Sequence, residues 1–183
     1  MVYISGGNEL LDPNVILERL GVKIGSKLAD LGCGGAGHFI IPAAQMVGKN
    51  TNVYAVDILK SVLKSVTSKA RLEGVNNIKT IWSNLEIPQA TKIKDNELDF
   101  ALLINILFQS KNDKVIIAEA KRMLKDGGRL LVIDWNNVPA SFGPPNVDRV
   151  SSREIKTIAS QLKLALIDEF DAGNYHYGLI FEK

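Results

Sequence analysis

The sequence predicts an α/β protein built on a doubly wound sheet, and three observations carry that prediction. Short apolar runs of strand length alternate with amphipathic stretches of helical spacing from residue 28 onward. The run L-D-F-A-L-L-I-N-I that begins at residue 98 is almost continuously apolar, as a central parallel strand covered on both faces must be. The last two runs, K-L-A-L-I-D-E-F and Y-H-Y-G-L-I-F-E, are separated only by residues 171–174. That turn is too short for a parallel crossover, so an antiparallel hairpin is expected. With 183 residues and 46% hydrophobic content, the chain suits a single domain over 1–183 without a linker.

In chain order, residues 1–11 are polar and glycine-containing, and Asp12-Pro13 then supplies a cap and a first-turn proline for V-I-L-E-R-L, with Gly21 as a stop. This helix is expected to cover the ligand end of the sheet. Leu28, Ala29 and Leu31 form the first strand, a glycine-dense turn follows, and 38–47 is apolar enough to be a helix packed on a sheet. T-N-V-Y-A-V-D is the second strand. In the helix expected after it, apolar positions fall at 58, 59, 62, 63 and 66, with lysines on the solvated face. N-I-K-T-I-W is the third strand and leads into Ser83-Asn84-Leu85. The fourth ends at Asn105, a helix is expected over 113–124, and the turn D-G-G precedes a fifth strand, R-L-L-V-I-D-W. Residues 136–150 hold three prolines and a glycine and read as an ordered loop beside the site. A helix over 152–162 leads into the final hairpin.

The stretch K-L-A-D-L-G-C-G-G-A-G carries the chemistry. Gly32, Gly34 and Gly37 fit the spacing G-x-G-x-x-G, in which missing side chains let the backbone turn sharply and a nucleotide approach the peptide groups. Asp57 ends the next strand, where a carboxylate can accept hydrogen bonds from a ribose diol. Both nicotinamide dinucleotides and S-adenosylmethionine use such an arrangement. Asp30, two residues before the first glycine, favours the second, because a carboxylate at the mouth of the turn repels a pyrophosphate and attracts an ammonium or sulfonium.

A-D-L-G-C-G-G-A-G followed by V-Y-A-V-D-I resembles motifs I and II of class I S-adenosylmethionine-dependent methyltransferases. The segments at 98–108, 120–135, 142–145 and 175–180 are similar to small ubiquinone-methyltransferase-like (type 11) members, so the likeness runs from about Leu11 to the end. It implies a three-layer α/β/α Rossmann-like fold with seven strands in the order 3-2-1-4-5-7-6, the last antiparallel. It also implies S-adenosylmethionine as cofactor, held by Asp30, Gly32, Cys33, Gly34, Gly37, Asp57, Ile58, Ser83, Asn84, Leu85 and Asn105. Ile58 would pack on the adenine, and a lid segment before the first helix would give Tyr3 a role. Relatives carry an acid just past the third strand; here Ser83 or the Asn84 amide would replace it. They also usually carry a His-Glu pair after the fourth strand, where this chain has Phe108-Gln109.

The remaining polar candidates near the strand ends are Asp134, Trp135, His38 and Arg149, the last as a clamp for an anionic acceptor. Tyr175, His176 and Tyr177 alternate along the final hairpin, which sends the two tyrosines to one face and His176 to the other. No catalytic residue is assigned. Cys33 is the only cysteine; with His38 and His176 the only histidines, no disulfide and no metal site are expected, and the cytoplasm is the natural compartment. A net charge of +2, from 22 basic and 20 acidic residues, disfavours nucleic acid as a partner. No run is long enough to span a bilayer. The expected function is in-line methyl transfer to a small-molecule acceptor. The alternatives are a non-catalytic S-adenosylmethionine-binding module and an NAD-dependent oxidoreductase.

Overall fold

Local signals set the helix boundaries. The computed structural model describes residues 10–183, so Tyr3 lies outside the described residues. Helix α1 (Pro13–Leu20) starts at Asp12, whose carboxylate accepts the N–H groups of Asn14 and Val15, and stops where Gly21 turns left-handed at φ 96°. Strand β1 (Leu28–Leu31) leads through the glycine turn to α2 (Ile40–Met46), β2 (Val53–Asp57), α3 (Lys60–Leu72) and β3 (Ile78–Trp82). The second half runs β4 (Leu98–Ile104), α4 (Asp113–Met123), β5 (Leu124–Trp135), α5 (Ser152–Gln161), β6 (Ala165–Asp171) and β7 (His176–Glu182). A capping box between Ser151 and Glu154 starts α5.

The sheet order is β3-β2-β1-β4-β5-β7-β6, with β7 antiparallel to both neighbours. Helices α1 to α3 cover one face through Leu17, Phe39, Ile40 and Val66. Helices α4 and α5 cover the other through Ile117, Met123 and Ile155, against Phe181 of the sheet. Each such side chain contributes about 1.5–3 kcal/mol on burial.

Three features depart from the expected layout. First, α1 packs on a face of the sheet and contributes no residue to the lining of the cavity: Arg19 pairs with Asp168 at 2.7 Å, and the Leu20 carbonyl accepts from Arg129. Second, the D-G-G turn is absorbed into β5 as an irregularity: Leu98 pairs with Leu124 and Phe100 with Arg129, so residues of β5 loop out between the two rungs. Third, the crossover over 83–97 contains no helix. It is stapled from α4 instead, where the buried Glu119 carboxylate accepts the N–H groups of Gln89 and Thr91. Arg122, paired with Glu119, donates to the carbonyls of Thr91 and Ile93.

Candidate functional site

Strand order reverses between β1 and β4, and the carboxyl ends of parallel strands part at such a point to leave a crevice. A cavity of about 480 Å³ lies there. Its first side is the glycine turn, in which the three glycines have distinct geometric reasons. Gly32, at φ 87°, donates its N–H to the Val56 carbonyl at 2.8 Å, and a Cβ there would stand 2.1 Å from Ile106. Gly37 is buried, and its Cβ would meet Ile41 at 2.9 Å. At Gly34, with φ 63°, a Cβ would meet nothing within 4 Å, because that side of the backbone faces the cavity it lines. All three positive φ values suit glycine.

Asp57 ties the turn to the next strand. One carboxylate oxygen accepts the Leu59 N–H at 2.9 Å and the other accepts the Gly34 N–H at 3.4 Å. A carboxylate offers about four acceptor positions, so capacity remains toward the cavity. The bond to Leu59 also explains why α3 begins at Lys60 and not at 58. Ile58 and Leu59 stay outside the helix, 53% and 56% exposed, on the cavity wall. Asp30 lies beneath, 3% exposed, and its pKa is raised to about 7 by burial and then by Asp57. Burial likewise pushes the Cys33 thiol well above its ordinary value.

Ser83 and Asn84 line the cavity, but both have local work: the Ser83 hydroxyl meets Thr91 at 3.1 Å, and the Asn84 side-chain oxygen accepts the Glu86 N–H at 2.9 Å.

The second side is built by β4, β5 and the loop 136–150. Asn105 follows β4 at φ 55°, an uncommon conformation for a residue with a side chain, of the sort that clusters at functional sites. Its N–H donates to Ile133, and its carbonyl accepts from the Gln109 amide at 3.0 Å. The 3₁₀ turn Leu107–Gln109 is anchored by Asp134, fully buried, which accepts the N–H groups of Leu107, Phe108 and Trp135. Burial raises the Asp134 pKa to about 7, against the pull of those three N–H bonds. Asp134 is therefore a support behind the cavity, and the walls are Ile104, Ile106, Phe108, Trp135, Gly143 and Pro144. Arg149 departs from the expected anion clamp: its guanidinium donates to the carbonyls of Pro144, Asn136 and Val138, holding the loop in place.

Of the cofactor set read from the sequence, Gly32, Gly34, Asp57, Ile58, Ser83, Asn84, Leu85 and Asn105 line the cavity. Asp30, Cys33 and Gly37 lie beneath or beside it, all buried. His38 is also off the cavity, its Nε2 2.8 Å from the Leu11 carbonyl. Tyr177 donates its hydroxyl to the Val150 carbonyl, while Tyr175 packs edge-on against Phe142, so the two tyrosines have separate surroundings. Sequence reading placed the loop 136–150 beside the site without naming Gly143 or Pro144; the F-G-P-P run was the available signal. Ile106, which fills the space left by Gly32, had no such signal, since only the fold brings the two together.

The sequence profile of a family described as a methyltransferase domain matches residues 23–171. A ubiquinone/menaquinone biosynthesis C-methyltransferase UbiE from Marinomonas sp. (strain MWYL1) is 29% identical over 178 residues, covering 95% of this chain and 66% of that protein. Its counterpart from Shewanella pealeana is 33% identical over 121 residues, covering 66% of this chain and 47% of the relative. The chain thus spans between about half and two thirds of the length of these relatives. A crystal structure of a SAM-dependent methyltransferase from Aquifex aeolicus superposes with a TM-score of 0.86 at 24% identity, covering 97% of this chain and 93% of that one, a likeness of fold.

Proposed function

The chain belongs to the methyltransferase-domain family, as a class I S-adenosylmethionine-dependent methyltransferase of the type 11 kind, and on that premise we propose that it transfers a methyl group from S-adenosylmethionine to an apolar small molecule in the cavity between β1 and β4. The observation that carries this reading is the first side of the cavity, where bare glycine backbone stands beside carboxylates. Gly34 leaves room for a ligand against the backbone, Asp57 offers carboxylate oxygens to a diol, and Asp30 places a second carboxyl beneath the turn. That set suits a ligand with a ribose and a cationic end and repels a pyrophosphate. When bound, S-adenosylmethionine supplies an electrophilic methyl on a sulfonium.

The protein's own contribution is proximity and exclusion of water. Ile104, Ile106, Phe108 and Trp135 make an apolar second side, and the 3₁₀ turn held by Asp134 fixes Phe108 within it. The titratable side chains on the described lining are Asp57 and Glu86, and Glu86 accepts the Lys111 N–H. With no acid or base on the second side, the acceptor is one that is already nucleophilic, or one that gives its proton to water. The relatives' names concern C-methylation in quinone biosynthesis; the Phe108-Gln109 sequence at the expected position of a His-Glu pair points to a different acceptor. Among the described residues no helix is long and apolar enough to cross a membrane, and we place this single-domain enzyme in the cytoplasm.

Thermal unfolding with S-adenosylhomocysteine and with NAD tests the assignment. A ligand at a hundredfold its dissociation constant adds about 2.7 kcal/mol, and roughly 2 to 4 °C per kcal/mol gives a shift of about 5 to 11 °C. That shift is expected with S-adenosylhomocysteine and not with NAD; equal shifts would point to an oxidoreductase.

A further inference from the structure

His176 opens β7 with no exposed surface, and neither its Nδ1 nor its Nε2 has a hydrogen-bond partner among the described residues. A neutral imidazole carries one donor and one lone pair, and leaving both unmet in an apolar interior is a costly arrangement that asks for an explanation. The position of the ring supplies one. His176 and Trp135 are register partners across β5 and β7, and their rings lie 4.4 Å apart. Trp135 is a wall of the cavity, so the imidazole is one aromatic ring away from the acceptor space.

Trp135 is covered by the loop 136–150. Phe142 packs edge-on against it at 6.0 Å, and Gly143 approaches so closely that a Cβ would stand 2.5 Å from the indole. That loop contains no regular element beyond the turn Asn146–Asp148 and is held by the three carbonyls that Arg149 bridges. Its displacement would break no strand or helix, but these contacts and those of Asn136 and Val150 at its two ends.

Resting on the reading of this cavity as a methyl-transfer site, we propose that His176 is the polar anchor of the acceptor: when the loop and the indole shift, its ring hydrogen-bonds an oxygen of an uncharged, ring-shaped molecule and sets which atom faces the methyl. The other walls of the second side are mainly apolar and orient such a molecule weakly, whereas one buried donor-acceptor group selects an orientation. Burial, and then the nearby Arg149, hold the imidazole pKa down to about 4, so it acts as a neutral hydrogen-bonding group. His176 is thus a specificity-determining residue that takes no proton in the transfer.

Because the chain has only two histidines, nitrogen NMR of protein labelled with ¹⁵N-histidine resolves the question on the unmodified protein. The probe is 4-methylphenol, with toluene as its oxygen-free control, both added to the S-adenosylhomocysteine complex. The ring nitrogens of His176 are expected to shift with 4-methylphenol and not with toluene, while those of His38 stay fixed. One hydrogen bond should make 4-methylphenol bind about fivefold tighter than toluene. That preference is expected to vanish in His176→Phe and to return in part in His176→Asn, with S-adenosylhomocysteine affinity unchanged in both as the check on folding. Unmoved His176 signals, failure of 4-methylphenol to bind, or a preference retained in His176→Phe would each overturn the inference. A wild-type protein that binds no S-adenosylhomocysteine would instead remove the reading of the cavity on which it rests.

Discussion

The two sides of the cavity are built on different physics. The side made by β1 and β2 is polar backbone and carboxylate: Gly32 and Gly34 at positive φ, Asp57 bridging to Gly34, and Asp30 beneath. The side made by β4, β5 and the 136–150 loop is aromatic and aliphatic, with its carboxylate, Asp134, turned away into backbone N–H groups. The first is suited to charge and hydrogen-bonding groups, which demands positions accurate to a fraction of an ångström. The second is suited to matching shape and excluding water, which several combinations of apolar residues can do. A cofactor-binding side can therefore be read from a few residue types, and an acceptor side cannot.

The harshest way to break this contrast is to place a side chain in the first side. Gly34→Val should abolish S-adenosylhomocysteine binding in calorimetric titration, since nothing but the cavity lies beside that backbone. The protein should stay folded by circular dichroism, with some loss of stability from the left-handed φ. Normal binding would show that the turn is not the ligand's cradle.

Asp57 comes next. Hydrogen bonds to a charged group are worth about 1.5 to 3 kcal/mol each, so Asp57→Ala should weaken S-adenosylhomocysteine at least tenfold, at about 1.4 kcal/mol per decade. Asp57→Asn should lose less, because one acceptor oxygen survives. Since Asp57 also accepts the Leu59 N–H just before α3, Asp57→Ala should lower stability by about 1 kcal/mol as well. A loss of stability with unchanged affinity would leave Asp57 a cap and nothing more.

The two buried aspartates sharpen the comparison through pH. Both Asp30 and Asp134 have folded pKa values raised to about 7. A raised carboxyl stabilises the fold when protonated, so this contribution is full below the ordinary value near 3.9 and is lost as pH rises through about 7. The ligand-free melting temperature should accordingly rise between pH 8 and pH 6, and the rise should shrink in Asp30→Asn. Only Asp30 lies beneath the glycine turn of the first side. If it pairs with a ligand cation, affinity for S-adenosylhomocysteine should fall below pH 7, by at most about tenfold per pH unit, with proton release on binding measurable in buffers of different ionisation enthalpy. A pH-independent affinity between 6 and 8 in wild type would separate Asp30 from the ligand.

The smallest effect belongs to the second side. Phe108→Ala should leave S-adenosylhomocysteine affinity within about twofold, because Phe108 stands on the second side while Asp57 and the glycine turn stand on the first. A tenfold loss there would mean that the two sides form one binding surface.

Much of the scaffold was legible because its signals are local. Asp12-Pro13 and Gly21 mark the two ends of α1, and the four-residue turn before β7 forces an antiparallel pair. The near-continuous apolar run of β4 announces a strand covered on both faces. The glycine spacing and the two aspartates located the crevice for the same reason: each requirement is met within a few residues of chain. In the sequence, the start of the helix after β2 read two residues early, since apolar spacing includes Ile58 and Leu59 and says nothing of the Asp57 carboxylate that holds them out of the helix.

The sequence by itself determined the alternation of strands and helices, the reversed final hairpin and the acidic glycine turn, all of which follow from backbone preferences and periodicity over short spans. Only the tertiary structure decided what meets across long separations. Glu119 and Arg122 replace a crossover helix with a stapled loop, Ile106 fills the space that Gly32 leaves, and Arg149 spends its guanidinium on the carbonyls of its own loop. His176, one more polar residue in an alternating strand, is sealed beside Trp135 with both nitrogens unmet among the described residues. Such pairings leave no trace in local spacing, because their partners are chosen by which strand ends the sheet order brings together, and that order is a property of the whole packed core.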